Sequence, residues 1–166
     1  SDAGKKYNIA PFGVEAQRLL RLEKGHLIFG QDTDGMTTPY EVNLGWGVKL
    51  TKEKFLGRHS LKELKPLVAR KLVGFQCKAE SRSAIDECNL LIENGNICGR
   101  VTSTSYSPHL KATIGLAMLE TESSPRDGKI LIKNSTGAMI QASIVDLPFF
   151  DPKNLRQNET LLDSQI

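Results

Sequence analysis

Asn89-Leu90-Leu91-Ile92-Glu93-Asn94-Gly95-Asn96-Ile97-Cys98-Gly99-Arg100-Val101-Thr102-Ser103 reads as two β-strands joined by a two-residue turn. Asn94-Gly95 suits a type I′ turn, whose two central residues both need positive φ, and the apolar residues on either side fit paired strands. Similar short apolar runs extend outward from this hairpin. They predict strands at Lys71–Cys77, Asn89–Glu93, Ile97–Ser103, Thr113–Leu119, Lys129–Lys133 and Met139–Asp146. Reversals are expected at Pro125-Arg126-Asp127-Gly128 and Ser135-Thr136-Gly137. Five or six strands in roughly 80 residues point to a small barrel or sandwich.

Upstream of Pro66 the pattern differs. Phe12, Ala16, Leu19 and Leu20 recur at the spacing of one helical face. This predicts a helix over Phe12–Lys24 with a buried apolar stripe, Pro11 in its first turn and Gly25 at its stop. Arg21 falls opposite that stripe. A short strand is expected at His26–Phe29, a polar loop at Gly30–Gly35, a second short helix from Thr38-Pro39-Tyr40-Glu41 and a strand at Trp46–Leu50. Lys52–Leu64 reads as a partly helical connector. The chain is therefore expected to be α+β, dividing into residues 1–65, a β-rich unit at 66–150, and a polar tail at 151–166 that lies over the surface or is disordered.

The 22 basic and 19 acidic residues leave a formal charge of +3, and the basic residues are scattered, which argues against a nucleic-acid surface. A composition of 39% hydrophobic and 25% charged residues is that of a globular chain. The apolar runs fall far short of the roughly 20 residues a membrane helix needs, and no signal segment opens the sequence, so a cytoplasmic chain is expected, with no membrane partner. Cys77, Cys88 and Cys98 show no C-x-x-C pairing and His26, His59 and His109 are dispersed, so neither a metal nor a disulfide is expected. Asp32 and Asp34 lack EF-hand spacing and should brace a turn through Asx hydrogen bonds. Thr102, Ser103 and Ser107 have no G-x-S-x-G elbow around them, and their hydroxyls should instead tie down a loop that closes the barrel.

Wording carries the reading further than periodicity. The run Gly13-Val14-Glu15-Ala16-Gln17-Arg18-Leu19-Leu20-Arg21-Leu22-Glu23-Lys24-Gly25, followed by Gly30-Gln31-Asp32, resembles the A-x-x-x-L-R-L-E-x-G…G-x-D segment of the glycine-cleavage T-protein (aminomethyltransferase) family. Thr38-Pro39-Tyr40-Glu41, Leu44-Gly45-Trp46 and Lys54-Phe55-Leu56-Gly57 continue the pattern. Gly99-Arg100-Val101-Thr102-Ser103 with Ser107-Pro108, then Ile114-Gly115-Leu116-Ala117, resembles the signature of that family's terminal β domain. The resemblance runs in order over residues 2 to 150. Leu20 to His26 and Asp32 to Gly35 bring it nearer the alpha subunit of multimeric sarcosine oxidases. T-protein and dimethylglycine dehydrogenase relatives are the alternatives within the family, and a non-catalytic folate-binding module is the alternative of a different class. A barrel that contacts RNA ranks last, for want of interleaved aromatics and a basic stripe.

The resemblance implies the rear part of a folate-binding α+β body, beginning part-way through it, followed by a small C-terminal antiparallel β-barrel. It implies tetrahydrofolate as cofactor, with FAD or FMN and NAD bound elsewhere in the parent protein, and other sarcosine oxidase subunits as partners. The implied function is capture of a one-carbon unit during oxidative demethylation of N-methylglycine. The family's catalytic aspartate lies in a segment before this one, so no catalytic residue is expected here, and the chain alone should be inactive. Without the front of the body, its helix stripe is available for self-association.

Four residues are expected near folate. Arg21 offers a guanidinium fork for a carboxylate or polar ring edge. Glu23 would orient it or meet a ligand amide, while Phe29 and Trp46 would lay aromatic faces against the ring system. Gln17 stands where relatives often carry a second arginine.

Overall fold

The computed structural model describes residues 2–78, 84–123 and 128–157. Six strands form a closed antiparallel barrel: β1 (Arg70–Cys77), β2 (Leu90–Glu93), β3 (Asn96–Ser107), β4 (Ala112–Glu120), β5 (Lys129–Lys133) and β6 (Met139–Val145), with neighbour order β1-β4-β3-β2-β5-β6. Each coincides with an expected strand, although β3 runs on to Ser107. At the β2–β3 turn Asn94 has φ 50° and Gly95 φ 82°, the pair of positive values a type I′ turn requires. At the second reversal Asn134 Oδ1 accepts from the backbone N–H groups of Thr136 and Ala138 at 3.1 and 2.8 Å, closing an Asx turn. The expected reversal at Pro125–Asp127 lies outside the described residues.

Closure of the barrel buries Phe75, Leu91, Val101, Ala117, Leu119 and Ile132 inside it. A second core lies on its outside, where Ile114, Leu116 and Met118 of β4 and Leu72 of β1 meet Leu22 and Val42 from the amino-terminal segment. β4 is consequently buried on both faces, without a break from Ala112 to Leu119. Side chains as fully buried as Leu22 and Leu116 each contribute about 1.5–3 kcal/mol.

The amino-terminal segment departs from its expected form. The helices there are α1 (Asp2–Lys5), α2 (Val14–Glu23) and α3 (Arg58–Leu64). α2 begins after Gly13, so Pro11 and Phe12 precede it. Its supposed buried stripe is largely solvent-facing, since Phe12, Ala16 and Leu20 are exposed and Leu19 is half-buried. The barrel instead takes the helix end, burying Leu22 and Glu23. Gly25 does stop the helix, with φ 67° and the Gly25 and His26 N–H groups returning to Leu22 and Arg21 carbonyls at 2.8 Å.

No strand forms at His26–Phe29 or Trp46–Leu50, because neither segment has a sheet edge beside it; Gly45–Gly47 makes one 3₁₀ turn. Nor does Thr38–Glu41 grow into a helix. Its capping bond forms, with the Thr38 N–H donating to Glu41 Oε2 at 2.6 Å, but Asn43 at φ 60° turns the chain away. Among the described residues no helix is long and apolar enough to cross a membrane.

Candidate functional site

The end of α2 is pinned to the barrel by two buried carboxylates. Asp32, 1% exposed, accepts from the Ile28 N–H at 2.8 Å, from Arg21 Nη1 at 2.6 Å and from the Thr102 hydroxyl at 2.6 Å, as well as from the Ser103 hydroxyl. Arg21 also donates to the His26 carbonyl at 3.0 Å and to Ser103 Oγ at 2.7 Å. In a regular strand Thr102 and Ser103 would point to opposite faces. A register shift between Val101 and Ser103 against β4 inserts Thr102 as a bulge, and both hydroxyls reach the same carboxylate oxygen. Asp32 is thus the hub of a long-range network, where local turn bracing was expected. The hydroxyls do tie down a loop, the one carrying Phe29.

Glu23 is the second buried carboxylate. It accepts from the Ser107 hydroxyl at 2.6 Å and lies 3.0 Å from His109 Nδ1. The His109 ring stacks on Phe150 with centroids 4.9 Å apart, and the Phe150 N–H donates to the Glu23 carbonyl at 2.9 Å. Next to it, Lys24 Nζ donates to the Asp151 carbonyl and Asn154 Oδ1, both at 2.7 Å. The tail's first residues are therefore strapped across the helix end.

Asp34 does brace a turn, accepting from the Met36 N–H at 3.0 Å and the Thr37 hydroxyl at 2.7 Å. It also pairs with Arg70 at 3.0 Å, and Arg70 in turn reaches Glu41 at 2.9 Å. The Arg70 guanidinium, then the Thr37 hydroxyl and the Met36 N–H, hold the Asp34 carboxyl well below the usual range. Burial acts to raise that of Glu41, but the Thr38 N–H and Arg70 outweigh it and leave it lowered. Arg70 is correspondingly held charged, by Asp34 first and then Glu41.

Above these pins opens a cavity of about 730 Å³, between the loop after α2, the Val42–Trp46 turn, β1 and the end of β6. That volume is in the range of sites for drug-sized molecules. Phe29 and Trp46 both line it, at 78% and 82% exposure. Neither is packed in the core, so both present free aromatic faces. Arg21 and Glu23 do not line the cavity; they hold the segments that shape it. Sequence reading missed His26, Asn43, Lys71 and Leu147 on the lining. None carries a local signal, because barrel closure is what brings β1 and the end of β6 beside the loop after α2.

Comparison with known proteins gives a consistent picture. Residues 70–151 match the model of the glycine cleavage T-protein C-terminal barrel domain, and residues 1–52 match that of the GCVT N-terminal domain. An aminomethyltransferase of Flavobacterium psychrophilum is 36% identical over 149 residues, which is 90% of this chain and 41% of that protein. The sarcosine oxidase subunit alpha of a Corynebacterium strain is 34% identical over 165 residues, 94% of this chain and 17% of that protein. The crystal structure of the glycine cleavage system aminomethyltransferase T from Bartonella henselae superposes with a TM-score of 0.78 at 26% identity, covering 89% of this chain and 42% of that one. The chain thus spans about two fifths of the length of its aminomethyltransferase relatives and about a sixth of sarcosine oxidase subunit alpha.

Proposed function

The chain belongs to the glycine cleavage T-protein family, and from that premise we propose that its cavity forms one wall of a tetrahydrofolate site. In this reading the bound folate takes up the one-carbon unit released when N-methylglycine is oxidatively demethylated. Residues 1–65 supply the aromatic side of that wall, and the barrel of residues 66–150 supports it and completes the lining with β1 and the end of β6. Flavin and NAD act elsewhere in such an oxidase, alongside its other subunits.

The observation that carries the reading is the exposure of Phe29 and Trp46 on one cavity whose supporting loops are locked by buried carboxylates. Aromatic faces held free of the core suit a flat heteroaromatic ring. Rigid support means that little ordering free energy is spent when the ring arrives. Similarity to a sarcosine oxidase subunit alpha over 94% of the chain supports the oxidase branch.

Trp46 is the only tryptophan, so its emission reports the site directly. Titrating the chain with 5-formyltetrahydrofolate should shift Trp46 emission with a dissociation constant of about a millimolar, since one wall offsets little of the ligand's lost freedom. Phe29→Ala should weaken the response. Unchanged emission at ligand concentrations well above that range would sink the proposal, and micromolar affinity would place the whole site within this chain. Co-purification of the natural polypeptide with flavin-bearing subunits separates an oxidase component from a non-catalytic folate module.

A further inference from the structure

Charged side chains on the cavity lining are not equivalent. Lys24 is spent on the Asp151 carbonyl and Asn154. Asp146 is the lining's one carboxylate. The side chain of Lys71, exposed on β1, forms no hydrogen bond or ion pair among the described residues, and neither does the His26 ring. Two aromatic faces and two uncommitted basic groups therefore share one opening.

A flat ring system continued by an anionic, flexible end matches that set. The ammonium group of lysine is a point charge with three donors on a flexible stem, so it can follow a mobile carboxylate. Resting on the folate reading above, we propose that Lys71, assisted by His26, holds the glutamyl carboxylates of the bound folate. The site then selects for the anionic tail as well as for the ring.

Two ligands separate this assignment from the reading beneath it. One is 5-formyltetrahydrofolate; the other is 5-formyltetrahydropteroyl methylamide, which keeps the ring and benzoyl amide and lacks both glutamyl carboxylates. Binding to the 166-residue chain is followed by Trp46 emission and by amide chemical shifts. The glutamyl ligand should bind about three- to tenfold more tightly, as expected for a partly solvated ion pair, with the advantage shrinking in salt. Lys71→Met should abolish the advantage without moving the affinity of the methylamide, and Lys71→Arg should retain most of it. Equal affinities in the wild type, or an advantage that survives Lys71→Met, would overturn the assignment and leave folate binding standing. If neither ligand perturbs Trp46, the folate reading fails and takes this one with it.

Discussion

Arg21 Nη1 stands 2.6 Å from Asp32 Oδ2, with the arginine side chain 13% exposed and the aspartate side chain 0% exposed. The pair lies between the end of α2 and the bulge in β3, so the loop that presents Phe29 depends on a carboxylate whose other donors come from the barrel. Ligand-facing and fold-stabilising parts of the site are in this way distinct.

Removing one member of that pair leaves the other charge buried. Arg21→Ala should lower the unfolding free energy by about 3–5 kcal/mol, the range for breaking a buried pair. Arg21→Lys, which keeps the charge and loses the fork to Ser103, should cost about 1–3 kcal/mol. Urea denaturation measures both. An Arg21→Met/Asp32→Leu double variant that loses as much as the two single variants together would show that the residues are not coupled.

Phe29 and Trp46 should behave in the opposite way. Both are exposed, so Phe29→Ala and Trp46→Ala should each move stability by no more than about 0.5 kcal/mol, while Phe29→Ala removes most of the Trp46 emission response to 5-formyltetrahydrofolate and Trp46→Ala, which loses that reporter, removes most of the amide chemical-shift response. A large shift in the denaturation midpoint would place these rings in the packing, not in a binding wall.

Acid should loosen the Asp34–Arg70–Glu41 cluster. Both carboxyl groups are depressed in the folded chain, so their stabilisation is fully present above their unfolded values of about 3.9 and 4.3 and is lost as pH falls through the lower folded values. Arg70→Met should therefore flatten the dependence of stability on pH below about 4.5 while leaving its shape near neutrality unchanged. Thermal melts from pH 2 to pH 7 check this, and parallel curves for variant and wild type would contradict it.

Gly115 sits where β4 passes the Phe75 ring and the Ser103 carbonyl, and a Cβ there would fall inside contact distance of both. Gly115→Ala should destabilise by about 1–3 kcal/mol, since the ring can retreat only into a filled core and the carbonyl belongs to the neighbouring strand. Denaturant unfolding decides it, and a neutral substitution would mean that the barrel yields at this point.

The barrel was legible along the chain because its causes are local. Period-two apolar runs, the positive-φ turn at Asn94-Gly95 and the Asn134–Gly137 reversal each act within a few residues, and closure then pairs strands whose register the alternation already specifies. That β4 is covered on both sides emerges only when the amino-terminal segment packs on its outer face. The amino-terminal half was read less well because its causes are distant. α2 carries an apolar stripe, yet the barrel selects the end of the helix, where Leu22 meets Leu116 and Ile114. Arg21, on the polar side of the helical pattern, is drawn to a buried carboxylate across 11 residues and to a serine across 82. The wording of the chain drew Phe29 and Trp46 into one expected site, but only tertiary structure gave that site its third wall, since β1 and the end of β6 reach the cavity through closure of the sheet and not through any neighbour in sequence.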